Sequence, residues 1–157
     1  MLKSIRIPLL ALAFVVALAG AAVATPAVSF GPPTPLSSGT HTESVHYNTG
    51  EVKFQTKGAV DFVTQTITIG PSGSSGWHTH PGVVLVTVQS GDLLHYGADC
   101  TVTRQSAGSA FSEAGDEPGL VRNASSTSSA VVYVTFVVPA GTTVLRNDAL
   151  NPGCPQN

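Results

Sequence analysis

Charge is scarce in this chain. Only 10% of its 157 residues are Asp, Glu, Lys or Arg, seven basic against nine acidic. With no basic stripe, nucleic acid and anionic membrane surfaces are poor partners. Methionine and tryptophan occur once each and cysteine twice. Neither cysteine sits in a CxxC or Cys-His spacing, which argues against a catalytic or metal-binding thiol. No Gly-rich loop follows a strand and opens a helix. There is no G-x-S-x-G elbow, and the many serines lack a His-acid partner at recognisable spacing, so phosphate-loop and serine-hydrolase chemistry find no support. No internal repeat is visible. Past the first two dozen residues no window sustains an apolar i, i+3, i+4 pattern with caps, apart from a turn near the C-terminus, so a helical domain is excluded.

The long apolar run that does exist is at the start. Lys3 and Arg6 precede LLALAFVVALAGAAVA, and Ala22-Val23-Ala24 supplies small residues. This reads as a signal peptide over 1–24 cleaved after Ala24, with export to the cell envelope or medium. Pro8 and the small-residue end argue against a retained span. The remainder is one domain's worth of 133 residues, with five basic against nine acidic side chains and a formal charge of −4. In that oxidising compartment Cys100 and Cys154 read as a disulfide tying the tail NPGCPQN to the domain.

TPAVSFGPPTPLSSGT, residues 25–40, is rich in Pro, Ser and Thr and reads as a flexible linker. From 41 to 157 the pattern is period two. AVDFVTQTITIG, VVLVTVQSG and AVVYVTFVVP are the strongest strands, dense in β-branched residues. Shorter candidates are Val52–Phe54, Leu93–Tyr96, Thr101–Arg104, Ser109–Phe111 and Leu120–Arg122. Turn-forming clusters such as GPSGSSG, QSGD and EAGDEPG separate them, as in a sandwich or barrel.

The chemistry concentrates in GWHTHPG, Gly76 to Gly82. Residues i and i+2 of a strand point the same way, so His78 and His80 aim their rings into one space. The stretch PSGSSGWHTHPGVVLVTVQSGDL resembles the first signature of single-domain cupins, and GSAFSEAGDEPGLVRN, ending in Asn123, resembles the second. The likeness runs over roughly residues 50–157. It implies an all-β, cupin-type double-stranded β-helix, a small jelly-roll barrel with a metal site of three imidazoles and a carboxylate. Here His78, His80 and Gly91 fit the family pattern. Val84 stands at the glutamate position and Gly119 at that of the last histidine.

Two imidazoles alone hold a divalent ion weakly. Glu117, two residues before Gly119, would share its face in an extended segment and complete a two-His, one-carboxylate set for Zn, Mn or Fe. Pro118-Gly119 suggests instead a turn that sends it outward. Val84, Val86, Phe111 and Gly119 are read as pocket lining. Glu113 could approach the pocket but reads first as facing water, His41 and His46 read as surface residues, and His95 as facing either barrel or solvent. Trp77 falls outside the His pair's face. Asn123-Ala124-Ser125 matches a glycosylation sequon, though a turn asparagine explains it more simply.

The leading function from sequence is therefore an exported barrel that binds a small molecule or a metal ion, with a two-His remnant of the cupin site. The alternative is a metal-dependent oxidoreductase or isomerase using His78, His80 and Glu117. A structural or interaction module, and a homo-oligomer, stay open. An acid at coordination distance from the His pair favours the enzyme; a valine-lined cavity without a third donor favours apolar ligand binding.

Overall fold

A computed structural model describes residues 24–155. The expected leader, but for Ala24, lies outside the described residues. The described chain is all β, thirteen strands, and among the described residues no helix is long and apolar enough to cross a membrane.

Alternation sets the core. In β7 (Val83–Ser90) Val84, Val86 and Val88 are buried while Val83 and Leu85 are exposed. In β12 (Ala130–Pro139) Ala130, Val132, Val134, Phe136 and Val138 turn inward. The two strands pair antiparallel with Val132 opposite Val88, Val134 opposite Val86 and Phe136 opposite Val84. Their inward rows therefore meet in one layer, the cross-strand contact that stabilises a sheet. On the far side of β12 lies β5 (Val60–Ser74), a fifteen-residue strand. Its first ten residues pair with β12, and its end reaches β11 (Leu120–Asn123) through Ser74 opposite Arg122. β11 pairs with β8 (Asp92–Tyr96), and β8 with β9 (Val102–Ser106). β10 (Ala110–Ala114) covers the other edge of β7. The path β10-β7-β12-β5-β11-β8-β9 curls round the main core into a nearly closed antiparallel barrel, the all-β architecture that the sequence resemblance implies.

Two small pairs complete it. β3 (His46–Asn48) and β4 (Lys53–Gln55) form a hairpin, and β6 (His78–Thr79) pairs with β13 (Asn147–Asp148). His41 and His46 are exposed, as expected of surface histidines. Asn123 is buried; its amide donates to the carbonyls of Ile69, Gly70 and Ser128 while its oxygen accepts the Ser125 N–H. It is a turn staple with no free amide.

The structure differs from the linker expected at 25–40. β1 (Val28–Phe30) and β2 (Thr34–His41) lie antiparallel along β5, from Thr34 opposite Thr66 to His41 opposite Val60. All eight residues of β2 are exposed. This strand contributes backbone hydrogen bonds rather than burial, so it carries no apolar alternation. Its Pro35 sits at an irregularity of the register, where an edge strand tolerates a missing N–H.

Cys100 and Cys154 form the expected disulfide, with Cα atoms 5.3 Å apart. Closing a 54-residue separation is worth about 4 kcal/mol in the chain-entropy model. Cys154 packs with Trp77 and Leu120 in a second small core, and Ala149 N–H donates to the Trp77 carbonyl at 2.9 Å. Trp77 thus holds the C-terminal segment from outside the His face.

Two outcomes follow. Deleting residues 25–41 strips one edge of β5 and should lower the melting temperature by several degrees; an unchanged melt would show that β2 is dispensable. Asp61 accepts the Thr40 hydroxyl at 2.6 Å and the Gly141 N–H at 2.8 Å. These bonds, the Thr40 hydroxyl foremost, hold its carboxyl below the usual range. A depressed folded pKa means stability that is present above the unfolded value, near 3.8, and lost as pH falls through the folded one. Thermal melts from about pH 5 down to about pH 3 should fall more steeply for the parent than for Asp61→Asn.

Candidate metal centre

The motif GWHTHPG is shaped by its neighbours. Gly76 has φ +68°, and a Cβ there would stand 2.0 Å from the Thr25 carbonyl oxygen, so only glycine lets the N-terminal segment pass. His78 then pairs with Gly119 by two backbone hydrogen bonds, His78 N–H to Gly119 O at 3.0 Å and Gly119 N–H to His78 O at 2.9 Å. His80 N–H donates to Gly115 O. Alternation does the rest. Both imidazoles are buried, face the barrel and meet edge to face with centroids 4.8 Å apart.

Each ring is fixed at Nδ1 by a carbonyl: His78 against Gly76 O at 3.0 Å and His80 against Leu145 O at 2.7 Å. Carbonyls only accept, so both Nδ1 atoms carry hydrogen. A neutral imidazole then has a bare lone pair at Nε2. Both Nε2 atoms face one carboxylate oxygen, Glu113 Oε2, at 3.5 and 3.1 Å. Acceptors at that separation repel unless a positive species lies among them, either a proton on the ring or a metal ion. The ligand atoms of His78, His80 and Glu113 lie within 4.8 Å of one another. With metal–ligand bonds of about 2.0–2.1 Å, neighbouring donors of a tetrahedral site stand about 3.3 Å apart, close to the two nitrogen–oxygen separations. The Nδ1–carbonyl bonds are the outer support that orients metal-binding histidines.

Glu113 is 9% exposed. Its other oxygen, Oε1, is 3.1 Å from His95 Nε2 but out of line for a hydrogen bond, leaving it buried without a hydrogen-bond partner among the described residues. Burial by itself would raise this carboxyl's pKa; the imidazoles of His78, His80 and His95 outweigh burial and hold it well below the usual range. His95 is half-buried and stacks on Phe111, with centroids 4.6 Å apart.

The carboxylate that stands beside the His pair is Glu113; Glu117 is not in the cluster. Glu117 is exposed in the turn that follows β10 and lines an outer cleft, not the inner cavity. Glu113, read from sequence as facing water, is inward because β10 alternates: Phe111 and Glu113 lean in, Ser112 and Ala114 out. The signal was present, since Phe111 was already a pocket candidate and Glu113 is two residues on. Glu113 also stands directly opposite Val84 in the β10–β7 register. A carboxylate on the facing strand reaches the volume that one at position 84 would fill.

Val84, Val86 and Phe111 line an inner cavity of about 350 Å³, together with His78, His80 and Glu113. Gly119 does not; it lines an outer cleft with His95, Asp99 and Glu117. Glu113 forms part of both walls. A Cβ at Gly119 would come within 2.8 Å of Glu113 Oε1 and 3.7 Å of His95 Nε2. The space next to Gly119 is therefore filled by Glu113, with an imidazole from β8 beside it. Phe30 and Pro33, from the segment expected to be a linker, close the inner cavity on one side.

Gly119→Ala should destabilise the fold by about 1–3 kcal/mol, as an overpacked site does. In a Glu113→Ala background the same change should cost much less. Thermal unfolding of the four proteins of this cycle gives the coupling, and additive effects would mean that the carboxylate does not occupy this space.

No protein-family model matches the chain, and no curated protein matches it. Among solved structures, it is similar to a Klebsiella pneumoniae protein with a double-stranded β-helix domain, at 19% identity and TM-score 0.48, over 56% of this chain and 74% of that one. A cupin-like protein of Thermotoga maritima aligns at 12% identity and TM-score 0.49, over 57% and 65%. An oxalate oxidase aligns at 17% identity and TM-score 0.43, over 50% of this chain and 46% of that one, less than half its length. Such identities do not carry an activity across.

Proposed function

We propose that this protein is an exported, metal-binding cupin barrel in which His78, His80 and Glu113 hold one divalent cation. The observation that carries the reading is the meeting of two imidazoles, each committed at Nδ1 to a carbonyl, with a buried carboxylate oxygen. The donor set of two nitrogens and one oxygen suits Zn, Mn or Fe(II), and a three-donor site leaves positions for water or substrate. The ion would supply Lewis-acid or redox chemistry at the cavity wall. The protein's part is to hold the rings, keep Glu113 ionised and keep the site dry behind apolar side chains. Export is supported by the N-terminal pattern and by the disulfide, which fits an oxidising, extracytoplasmic compartment.

A second reading, a metal-dependent oxidoreductase or isomerase acting on a small molecule, is favoured by one further fact. The donors line the inner cavity rather than a closed structural knot. Catalytic metal sites keep an open position where structural ones are closed.

Elemental analysis of untagged protein recovered from the medium or periplasm should find one divalent metal per chain. In calorimetric titrations with Zn or Mn, Glu113→Gln and His80→Ala should each lose at least tenfold in affinity, roughly 1.4 kcal/mol, while Glu117→Gln stays like the parent. Loss on Glu117→Gln with Glu113→Gln unaffected would reverse the assignment. Metal binding by none of them would end it.

A further inference from the structure

The cavity beside the metal centre is not the polar pocket that a sugar or a dicarboxylate requires. Its walls are Ile67, Ile69, Val86, Val132 and Val134 with the ring of Phe136. Buried hydrogen-bonding groups of a polyhydroxylated ligand would find no partners along these walls, at a desolvation cost for each. Polar groups gather at few places. They are the His78, His80 and Glu113 cluster, Arg146 and the single amide of Gln65; the Ser75 hydroxyl is spent on the Gly76 carbonyl and the Val121 N–H. The Arg146 guanidinium is fixed by donation to the Ser75 carbonyl at 2.5 Å and by a pair with Asp148, an exposed residue. Pro33 and Thr143 are the exposed members of the lining and mark the mouth.

Charge and volume narrow the occupant. A divalent ion held by two neutral imidazoles and one carboxylate carries a net +1; Arg146 on the same wall has its charge offset by Asp148 but keeps further N–H donors on its fork. A cavity of about 350 Å³ is at the small end of ligand pockets, which run from roughly 300 to 1,000 Å³. It holds one ring or a short branched chain, not a fused polycycle or an extended acyl chain.

We infer that the inner cavity takes a small hydrophobic monocarboxylate, its apolar body against the valine and isoleucine walls and its carboxylate directed to the His78–His80–Glu113 centre and Arg146. The direction of the head rests on the metal reading; the apolar body rests on the cavity alone. Arg146 is a specificity residue in this scheme, setting the preference for an anionic head, as guanidinium–carboxylate pairing does elsewhere.

Zinc-loaded protein would be titrated calorimetrically near neutral pH with benzoate, acetate, malonate and benzyl alcohol. Benzoate should bind at least tenfold tighter than acetate or malonate, which lack the body, and tighter than benzyl alcohol, which lacks the charge. Arg146→Gln should weaken benzoate severalfold and leave benzyl alcohol unchanged. Val134→Phe, or the milder Val86→Leu if the first does not fold, should weaken benzoate while elemental analysis still finds the zinc. Acetate or malonate matching benzoate in zinc-loaded protein overturns the inference and leaves the metal reading standing. Benzoate bound equally well with and without zinc, and unaffected by Arg146→Gln, overturns the placement of the head. If no zinc is held but benzoate still exceeds acetate tenfold, the metal reading fails and the apolar cavity assignment survives.

Discussion

A carboxylate removed from water must be compensated on the spot, because the desolvation of an isolated charge exceeds what a marginally stable fold can absorb. Glu113 meets that condition through imidazoles alone. His78, His80 and His95 surround it, and no Lys or Arg side chain makes an ion pair with it among the described residues. Imidazole is a conditional partner. Neutral, with Nδ1 spent on a carbonyl, it offers Glu113 a lone pair; charged, or bridged by a metal, it offers attraction. The geometry around Glu113 is therefore satisfied only when positive charge is delivered to the cluster. That constraint ties the site's chemistry to the stability of the barrel.

Strand pairing places these groups. Three separate registers converge: the β6 segment pinned to Gly119 sets His78 and His80, the β10–β7 ladder sets Glu113 opposite Val84, and the β8–β11 ladder sets His95 opposite Val121. Side chains directly opposite on one face have Cβ atoms about 5 Å apart, so one coordination volume can be reached from either of two paired strands. Glu113 on β10 thus reaches the volume that faces position 84 on β7. Val84 itself helps wall the cavity.

Much of this was legible in the sequence, for identifiable reasons. The His78-x-His80 pair is local, and i, i+2 alternation is a property of any strand. The Val84, Val86, Val88 row is the same rule over a longer run. Two cysteines in a chain with a leader-like start leave one pairing. What escaped was non-local or side-chain-poor. Glu113 cannot be matched to His80 without knowing that β10 lies on β7, and the place of Glu117, two residues before Gly119, made it the more visible candidate. The N-terminal strands escaped because β2 binds through its backbone, which leaves no trace in side-chain pattern. Its Pro and Ser composition is that of an edge strand and of a spacer alike.

The N-terminal segment has a consequence for the site beyond stability. Thr25 and Pro26 pass against Gly76, the residue before Trp77-His78, and Phe30 and Pro33 stand in the cavity wall. The same stretch therefore touches the root of the histidine motif and the place where a ligand's apolar body would lie. Excluding water there lowers the local dielectric and strengthens every interaction among Glu113, the imidazoles and a bound cation. A segment that buries little of its own surface thus helps wall the cavity beside the His78–His80–Glu113 cluster. The apolar lining would serve both parts of the proposed site: the low dielectric that favours a hydrophobic body also strengthens the interactions of Glu113.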